Sequence, residues 1–526
     1  MHQHPSNPRT SHLEPWAARR LAPSAAWLAL GLLGTSCASN GRSVEITDVG
    51  DGTLVVVEHG SLIAERPTDA AGRAAGLAEY LRQQRARFGQ AELDPSALEF
   101  VDAVDQEEMT DEAGDTFTLA ALQQTHMGAP VIDELQMAAF ARTPHGDELR
   151  RVRGRLRDPA TLPTPPAASE RPAAESMASS LAIELGLSAD RTTLSAGPVI
   201  SAAHGVAGYL VSQLAPDEDG GFHRFEAIVD PVADTYVVLV NQPSCARPAL
   251  APGVTIGAGP VFNFDPPTDP NVRPIRIHAV QLEDADGGNR ASITRAQVRR
   301  WVLAANTVWY PETGIRFDFD DSASSPDFQT WKATRLNTLP ANEDEEYTYR
   351  TVGNVWALLF HHEELVVFFR ANGGHGFSWG PQTTFFVSMP SYGDTGIWKP
   401  GDGGGLPNDT LLSHELGHYF GLAHTFGGES CANSHTYNGD GDAGGQDPNT
   451  NADDVSDTNA DMSDKCVATD SLTCVGGAVT YNDESWNPPW TNVMSYHDCL
   501  PEVFSDDQVD VINLTLQHPV RANLLH

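Results

Sequence analysis

The string His414-Glu415-Leu416-Gly417-His418-Tyr419-Phe420-Gly421-Leu422-Ala423-His424 constrains this chain more than any other feature. Asn408-Asp409-Thr410 supplies N-cap residues ahead of an apolar-periodic run that begins at Leu411, so a helix is predicted there. His414 and His418 are four residues apart and project from one face of that helix, where they can share an ion. Gly421 can adopt the left-handed conformation that ends a helix, which turns the chain and returns His424 toward the same point. Three neutral imidazoles suit Zn²⁺ and leave a coordination position open, the arrangement of a catalytic site. Glu415 lies on the flank of the same face. As general base it would take the proton of a zinc-bound water during attack on a peptide carbonyl, then protonate the leaving amine.

Composition narrows the remaining choices. The chain has 526 residues, with Lys+Arg 33 against Asp+Glu 70 and a net charge of −37. Such a field repels phosphate backbones, so no nucleic-acid partner is expected. Apolar residues at 40% and charged residues at 20% are ordinary soluble usage and argue against both wholesale disorder and a membrane bundle. Arg19-Arg20 followed by the apolar stretch 25–33 reads as a signal peptide over 1–37, too short for a transmembrane helix. Gly34-Thr35-Ser36-Cys37 resembles a bacterial lipoprotein cleavage site, which would anchor the chain by a lipid at Cys37; ordinary secretion is the alternative. Either way the product is exported. The cluster Cys431, Cys466, Cys474 and Cys499 then implies disulfides, with three connectivities open.

The expected fold class is α+β. Leu54-Val55-Val56-Val57 reads as a strand and 70–88 as a helix within a module spanning 38–157. Residues 158–175 carry five prolines and read as a Pro/Ala-rich linker, which disfavours packing. A smaller α+β module over 176–250 starts with a helix at 176–187 and contains a hairpin, 225–229 and 236–240. The catalytic domain is placed at 270–526. There Ile275, Ile277 and Ala279 alternate with Arg276, His278 and Val280, and Thr294 with Gln297 forms a capping box for a helix burying Val298, Trp301, Val302, Ala305 and Val308. Further strands are expected at 315–319, 365–369 and 383–387. Isolated histidines such as His361, His362 and His375 read as core or surface residues.

The H-E-x-x-H-x-x-G-x-x-H string resembles the metzincin clan of zinc endopeptidases, and Val493-Met494-Ser495-Tyr496 resembles its Met-turn. Within the clan the resemblance is to the pappalysins, carried by His424-Thr425-Phe426, Asp454-Val455-Ser456-Asp457-Thr458 and Asn492-Val493-Met494-Ser495-Tyr496 ahead of Asp498-Cys499. That resemblance implies a twisted, mostly parallel sheet with an antiparallel edge strand, a zinc helix and a loop-rich, disulfide-bonded lower subdomain. It implies Met494 as a floor beneath the metal and Tyr496 as a second catalytic residue that steadies the oxyanion. It also implies disulfides Cys431–Cys474 and Cys466–Cys499. Asp498 would select Arg or Lys after the scissile bond. Hard-oxygen side chains in the acidic loop, Asp453, Asp454 and Asp457, would hold a structural Ca²⁺.

Gln123-Gln124-Thr125-His126-Met127-Gly128-Ala129-Pro130-Val131, with Gly154-Arg155-Leu156, resembles the propeptide of thermolysin-like and fungalysin-like proteases, and the 176–250 unit is similar to the inhibitory module that often follows it. A zymogen is therefore expected, with Cys245 ahead of the catalytic segment as a thiolate that could fill the open zinc position. The sequence thus reads as a secreted zinc endopeptidase acting on protein or peptide substrates. Two alternatives stand beside it. One is a non-catalytic zinc- and calcium-binding secreted protein, against which Glu415 speaks. The other is a thermolysin-like metalloprotease, whose third ligand would be a Glu on a later helix.

Overall fold

A computed structural model describes residues 44–48, 53–58, 61–103, 106–184, 192–216, 222–243, 272–338, 352–371, 376–378, 385–391, 411–422, 424–425, 479–481, 484–486, 491–495, 503–517, 521 and 523–525. Residues 1–37, expected from sequence to be a signal peptide, lie outside them. No helix among the described residues is long and apolar enough to cross a membrane.

The first module contains β1 (Val44–Asp48), β2 (Leu54–Glu58), α1 (Ala70–Gln83), β3 (Glu99–Asp102), β4 (Glu107–Thr110), β5 (Thr116–His126), β6 (Ala129–Ala141) and β7 (Glu148–Gly154). Its strands are antiparallel: β2 joins β1 to β7, β7 joins β6, β6 joins β5, and β3 and β4 both pair with β5. Met127 and Gly128 make the tight β5–β6 turn with positive φ (52° and 80°), so the resemblance segment 123–131 is the tip of this hairpin. Asp69 caps α1, and Leu77 and Leu81 bury against Ala120, Leu122, Ala138 and Phe140 on one face of the sheet.

The proline-rich stretch is packed rather than free. It forms short 3-10 turns at Pro159–Thr161 and Ala168–Glu170 and buries Leu162 against Val131, Ile200 and Ala207. Pro at the first position of such a turn costs no hydrogen bond, which is why proline content here does not mean slack chain. Helix α2 (Arg171–Glu184) starts five residues before its expected position at 176. It covers a sheet containing β8 (Thr193–Leu194), β10 (Val206–Pro216), β11 (Phe222–Asp230) and β12 (Thr235–Pro243), while β9 (Val199–Ser201) links β10 to β6.

The C-terminal part has α+β character. It holds β13 (Arg273–Glu283), α3 (Arg295–Thr313), β14 (Ile315–Asp318), β15 (Phe328–Lys332), α4 (Thr334–Asn337), α5 (Asn354–Phe360), β16 (Leu365–Arg370), β17 (Phe386–Pro390), α6 (Leu411–Tyr419), the hairpin β18 (Val479–Tyr481) and β19 (Glu484–Trp486), and α7 (Asp506–Gln517). The Thr294/Gln297 capping box is formed, and Gly314 ends α3 in the left-handed region. Strand β13 pairs in parallel with β14 and then β15 on one side and with β16 on the other; β16 pairs in parallel with β17. An antiparallel bridge from Phe377 to Ser388 adds an edge, so the sheet is mixed.

Alternation along β13 assigns its two faces. Ile275, Ile277 and Ala279 join Leu365, Val367, Phe369, α3, α6 and α7 in one core. Val280 and Leu282 join Val366, Phe368 and α5 in another, which also takes in Met109, Leu119, Ala121, Met137 and Ala139 of the first module. The N-terminal sheet thus packs on the face of the β13–β17 sheet opposite α6. Polar contacts follow the same seam. The Thr330 amide donates to Glu112 Oε1 at 2.8 Å, and Arg151 donates to the Leu359 carbonyl at 3.2 Å with its guanidinium 4.6 Å from the Phe360 ring.

Candidate metal centre

Every residue of α6 is buried, and the helix ends as its glycine predicts. Gly421 has φ 95°; its N–H donates to the His418 carbonyl at 2.9 Å, and the Leu422 N–H donates to the Gly417 carbonyl at 2.9 Å. This pair of bonds is a Schellman closure, which reverses the chain after one tight turn and brings His424 back over the helix.

The three imidazoles meet. His414 Nε2 lies 3.3 Å from His424 Nε2 and 3.2 Å from His418 Nε2, and the His418 and His424 rings are 4.7 Å apart at 85°. His414 Nδ1 lies 2.7 Å from the Val493 carbonyl, and His418 Nδ1 lies 2.7 Å from the Leu422 carbonyl. Carbonyls only accept, so both Nδ1 atoms carry the proton and both Nε2 lone pairs point inward. Neutral lone pairs at such separations repel unless a cation stands among them. Tetrahedral ligands at the usual 2.0–2.1 Å from zinc stand about 3.3 Å apart. The residues present therefore fit a zinc ion, and among the described residues these three form a buried metal-capable cluster.

The floor of the site comes from the turn at 491–495. Asn492 Oδ1 accepts from the Met494 amide at 2.9 Å, and the Asn492 and Gln508 side-chain amides bond reciprocally at 2.8 and 3.2 Å, tying the turn to α7. Met494 is fully buried against the α6 backbone at Gly417, where a Cβ would overlap its Sδ. The same turn supplies the carbonyl that orients His414, so one short segment both supports the helix and fixes a ligand tautomer.

Glu415 is 1% exposed and faces the edge segment 376–378. A Cβ on Gly376 would stand 2.8 Å from Glu415 Cγ and 2.9 Å from its Oε1, so only glycine leaves that carboxylate its place. Next to Gly376, the Phe377 ring lies 4.7 Å from the guanidinium carbon of Arg370, at the end of β16. Burial pushes Arg370 down to about 9, opposed by the nearby Glu415 charge. Behind the helix, Arg521 donates to the Tyr419 carbonyl at 3.3 Å and lies 3.6 Å over the Tyr419 ring.

The structure brings together His414, Glu415, His418, His424 and Met494 of the residues expected from sequence. Tyr496, Asp498, Asp453, Asp454, Asp457, Cys37, Cys245, Cys431, Cys466, Cys474 and Cys499 lie outside the described residues. Sequence reasoning passed over Gly376, Gly417 and Arg370. Their roles depend on which segment approaches them, and no local pattern signals that approach.

Residues 406–517 match a peptidase family model described as pregnancy-associated plasma protein-A. No curated protein matches the chain.

Proposed function

We propose that this chain, whose residues 406–517 match the pregnancy-associated plasma protein-A family model, is a zinc-dependent endopeptidase of pappalysin type, made as a secreted zymogen, that hydrolyses protein or peptide substrates. The observation that carries this reading is the convergence of three Nε2 atoms, two of them with their tautomers set by backbone carbonyls. A third histidine ligand so soon after the helix also speaks against the thermolysin-like alternative.

His414, His418 and His424 would hold a zinc ion, which would supply Lewis-acid activation. Glu415 accepts a proton at its carboxylate during attack and returns it to the leaving amine nitrogen. Its flank position on the histidine face, hemmed by Gly376, supports that role over direct ligation. Segment 376–378 is a sheet edge beside Glu415, suited to aligning an extended peptide by backbone pairing. Tyr496, two residues beyond Met494, steadies the oxyanion, and Asp498 recognises Arg or Lys after the scissile bond by a charge-assisted contact. Asp453, Asp454 and Asp457 hold Ca²⁺ through oxygen ligands, and Cys431–Cys474 and Cys466–Cys499 staple the same region. Before activation the Cys245 thiolate would hold the site latent as a further zinc ligand, within an N-terminal region that acts as propeptide.

The test is cleavage of a peptide library by the purified full chain after activation. Hydrolysis should stop with a chelator, return with zinc, and be absent from Glu415→Ala while that variant keeps its zinc. Cleavage by metal-free protein or by Glu415→Ala would overturn the proposal.

A further inference from the structure

A second group of metal-capable side chains lies on the opposite face of the catalytic sheet, away from α6. His278 is on β13 on the side facing α5, His361 caps the C-terminal end of α5, and Glu364 stands in the turn before β16. The β13–β16 register, Ile277 to Leu365 and His278 to Val366, brings the turn alongside His278. The His361 amide donates to the Ala357 carbonyl at 2.8 Å, and the Glu364 amide donates to the His361 carbonyl at 3.1 Å, so the backbone carrying two of the three groups is fixed.

The two imidazoles are stacked, with centroids 3.5 Å apart and planes at 22°. Both present Nδ1 to the same carboxylate oxygen: Glu364 Oε2 lies 2.6 Å from His361 Nδ1 and 3.4 Å from His278 Nδ1. All three ligand atoms lie within 4.8 Å of one another. Trp356 walls the stack at 4.9 Å from His361 and 6.3 Å from His278. The other carboxylate oxygen, Glu364 Oε1, lies 3.1 Å from Arg276, whose guanidinium also bonds Asp327. Arg276 thereby orients the carboxylate as an outer partner, and Asp327 offsets its charge. His278 reaches this carboxylate from inside the sheet, on the face that packs against α5. Its side chain is almost fully enclosed, whereas those of His361 and Glu364 retain 13% and 17% exposure, which leaves a way in from solvent.

We propose that His278, His361 and Glu364 form a second divalent-metal site, of the zinc-binding type, that ties β13 to the α5–β16 turn. Two imidazoles and one carboxylate are a donor set that zinc uses, and water would complete the coordination. Glu364 Oε2 stands close to one Nδ1 and far from the other, whereas an ion among the three atoms would engage both rings through their Nδ1 lone pairs. The site is structural: it lies behind the sheet, beside the seam with the N-terminal module, and takes no part in peptide hydrolysis.

The experiment counts metal in the full chain, purified with zinc and dialysed. Wild type should retain two zinc ions per chain. The double variant His414→Ala/His418→Ala should retain one, and Glu364→Gln and His361→Ala should each lose one while keeping the catalytic ion. Glu364→Gln preserves size and leaves an acceptor oxygen for Arg276, and a circular-dichroism spectrum matching wild type separates metal loss from a folding failure; Arg276→Gln should weaken the second ion by about 10–100-fold. In His414→Ala/His418→Ala, a chelator should lower the melting temperature only while Glu364 is intact. One zinc in wild type, or a second ion that survives both Glu364→Gln and His361→Ala, would overturn the proposal.

Discussion

Gly417 and Met494 touch so closely that the glycine has no room for a methyl group, because a Cβ there would overlap Met494 Sδ. One turn of α6 between the two helix-borne histidines thus rests directly on the turn that follows some seventy residues later. The separation between ligands and floor is set by the absence of a side chain.

Gly417→Ala tests this contact against helix propensity. In an exposed helix the change would stabilise by roughly 1 kcal/mol. Here the methyl must displace Met494, and overpacking of that kind costs about 1–3 kcal/mol. Denaturant unfolding should show net destabilisation and zinc titration a weaker site, and Met494→Ala in the Gly417→Ala background should restore part of both.

Gly376→Ala places a methyl group against the Glu415 carboxylate. A misplacement of about 1 Å at a catalytic group can cost on the order of 100-fold in rate. Steady-state kinetics should show kcat falling by about that factor, with zinc content and melting temperature close to wild type.

Arg521→Ala removes a cation that both stacks on Tyr419 and bonds its carbonyl at the C-terminal end of the zinc helix. The loss should be about 2–3 kcal/mol in chemical denaturation, given a buried charged hydrogen bond and its ring contact. Arg521→Lys should recover little of it, since an ammonium cannot stack as a planar guanidinium does.

Much of the metal site was legible because its determinants are local. A four-residue spacing on a helix and a glycine able to take φ 95° bring three imidazoles together locally, while the ring orientation of His414 is set by the distant Val493 carbonyl. Strand β13 was legible for a similar reason, through its alternation of apolar and polar positions. Strand β15, Phe328–Lys332, went unread: Phe, Gln, Thr, Trp and Lys make no clean alternation, and the strand is held by pairing to β13 and β4. The burial of Leu162 in the proline-rich stretch is not legible, because composition does not reveal its neighbours Val131, Ile200 and Ala207. Glu364 stands only three residues beyond His361, but the ring that stacks on His361, His278, comes from a distant strand. Contacts of that kind have no spacing rule.

Residues 272–526 expressed alone should fold poorly. Without the first module, Trp331, Trp356 and Phe368 lose the cover of Met109, Leu119 and Met137, and each large apolar side chain left in water costs about 1.5–3 kcal/mol. Dye binding and aggregation should rise in that fragment and fall when residues 44–243 are supplied in trans; a monomeric, soluble fragment with native melting would refute the claim.

The apolar cluster that spans both modules carries a last consequence. Its members come from either side of the chain's midpoint, so heat has no dry seam along which to part them. The two modules should melt as one cooperative body, in a single calorimetric peak. A chain cut between them would still hold its halves clasped from the rear while the metal face stood open.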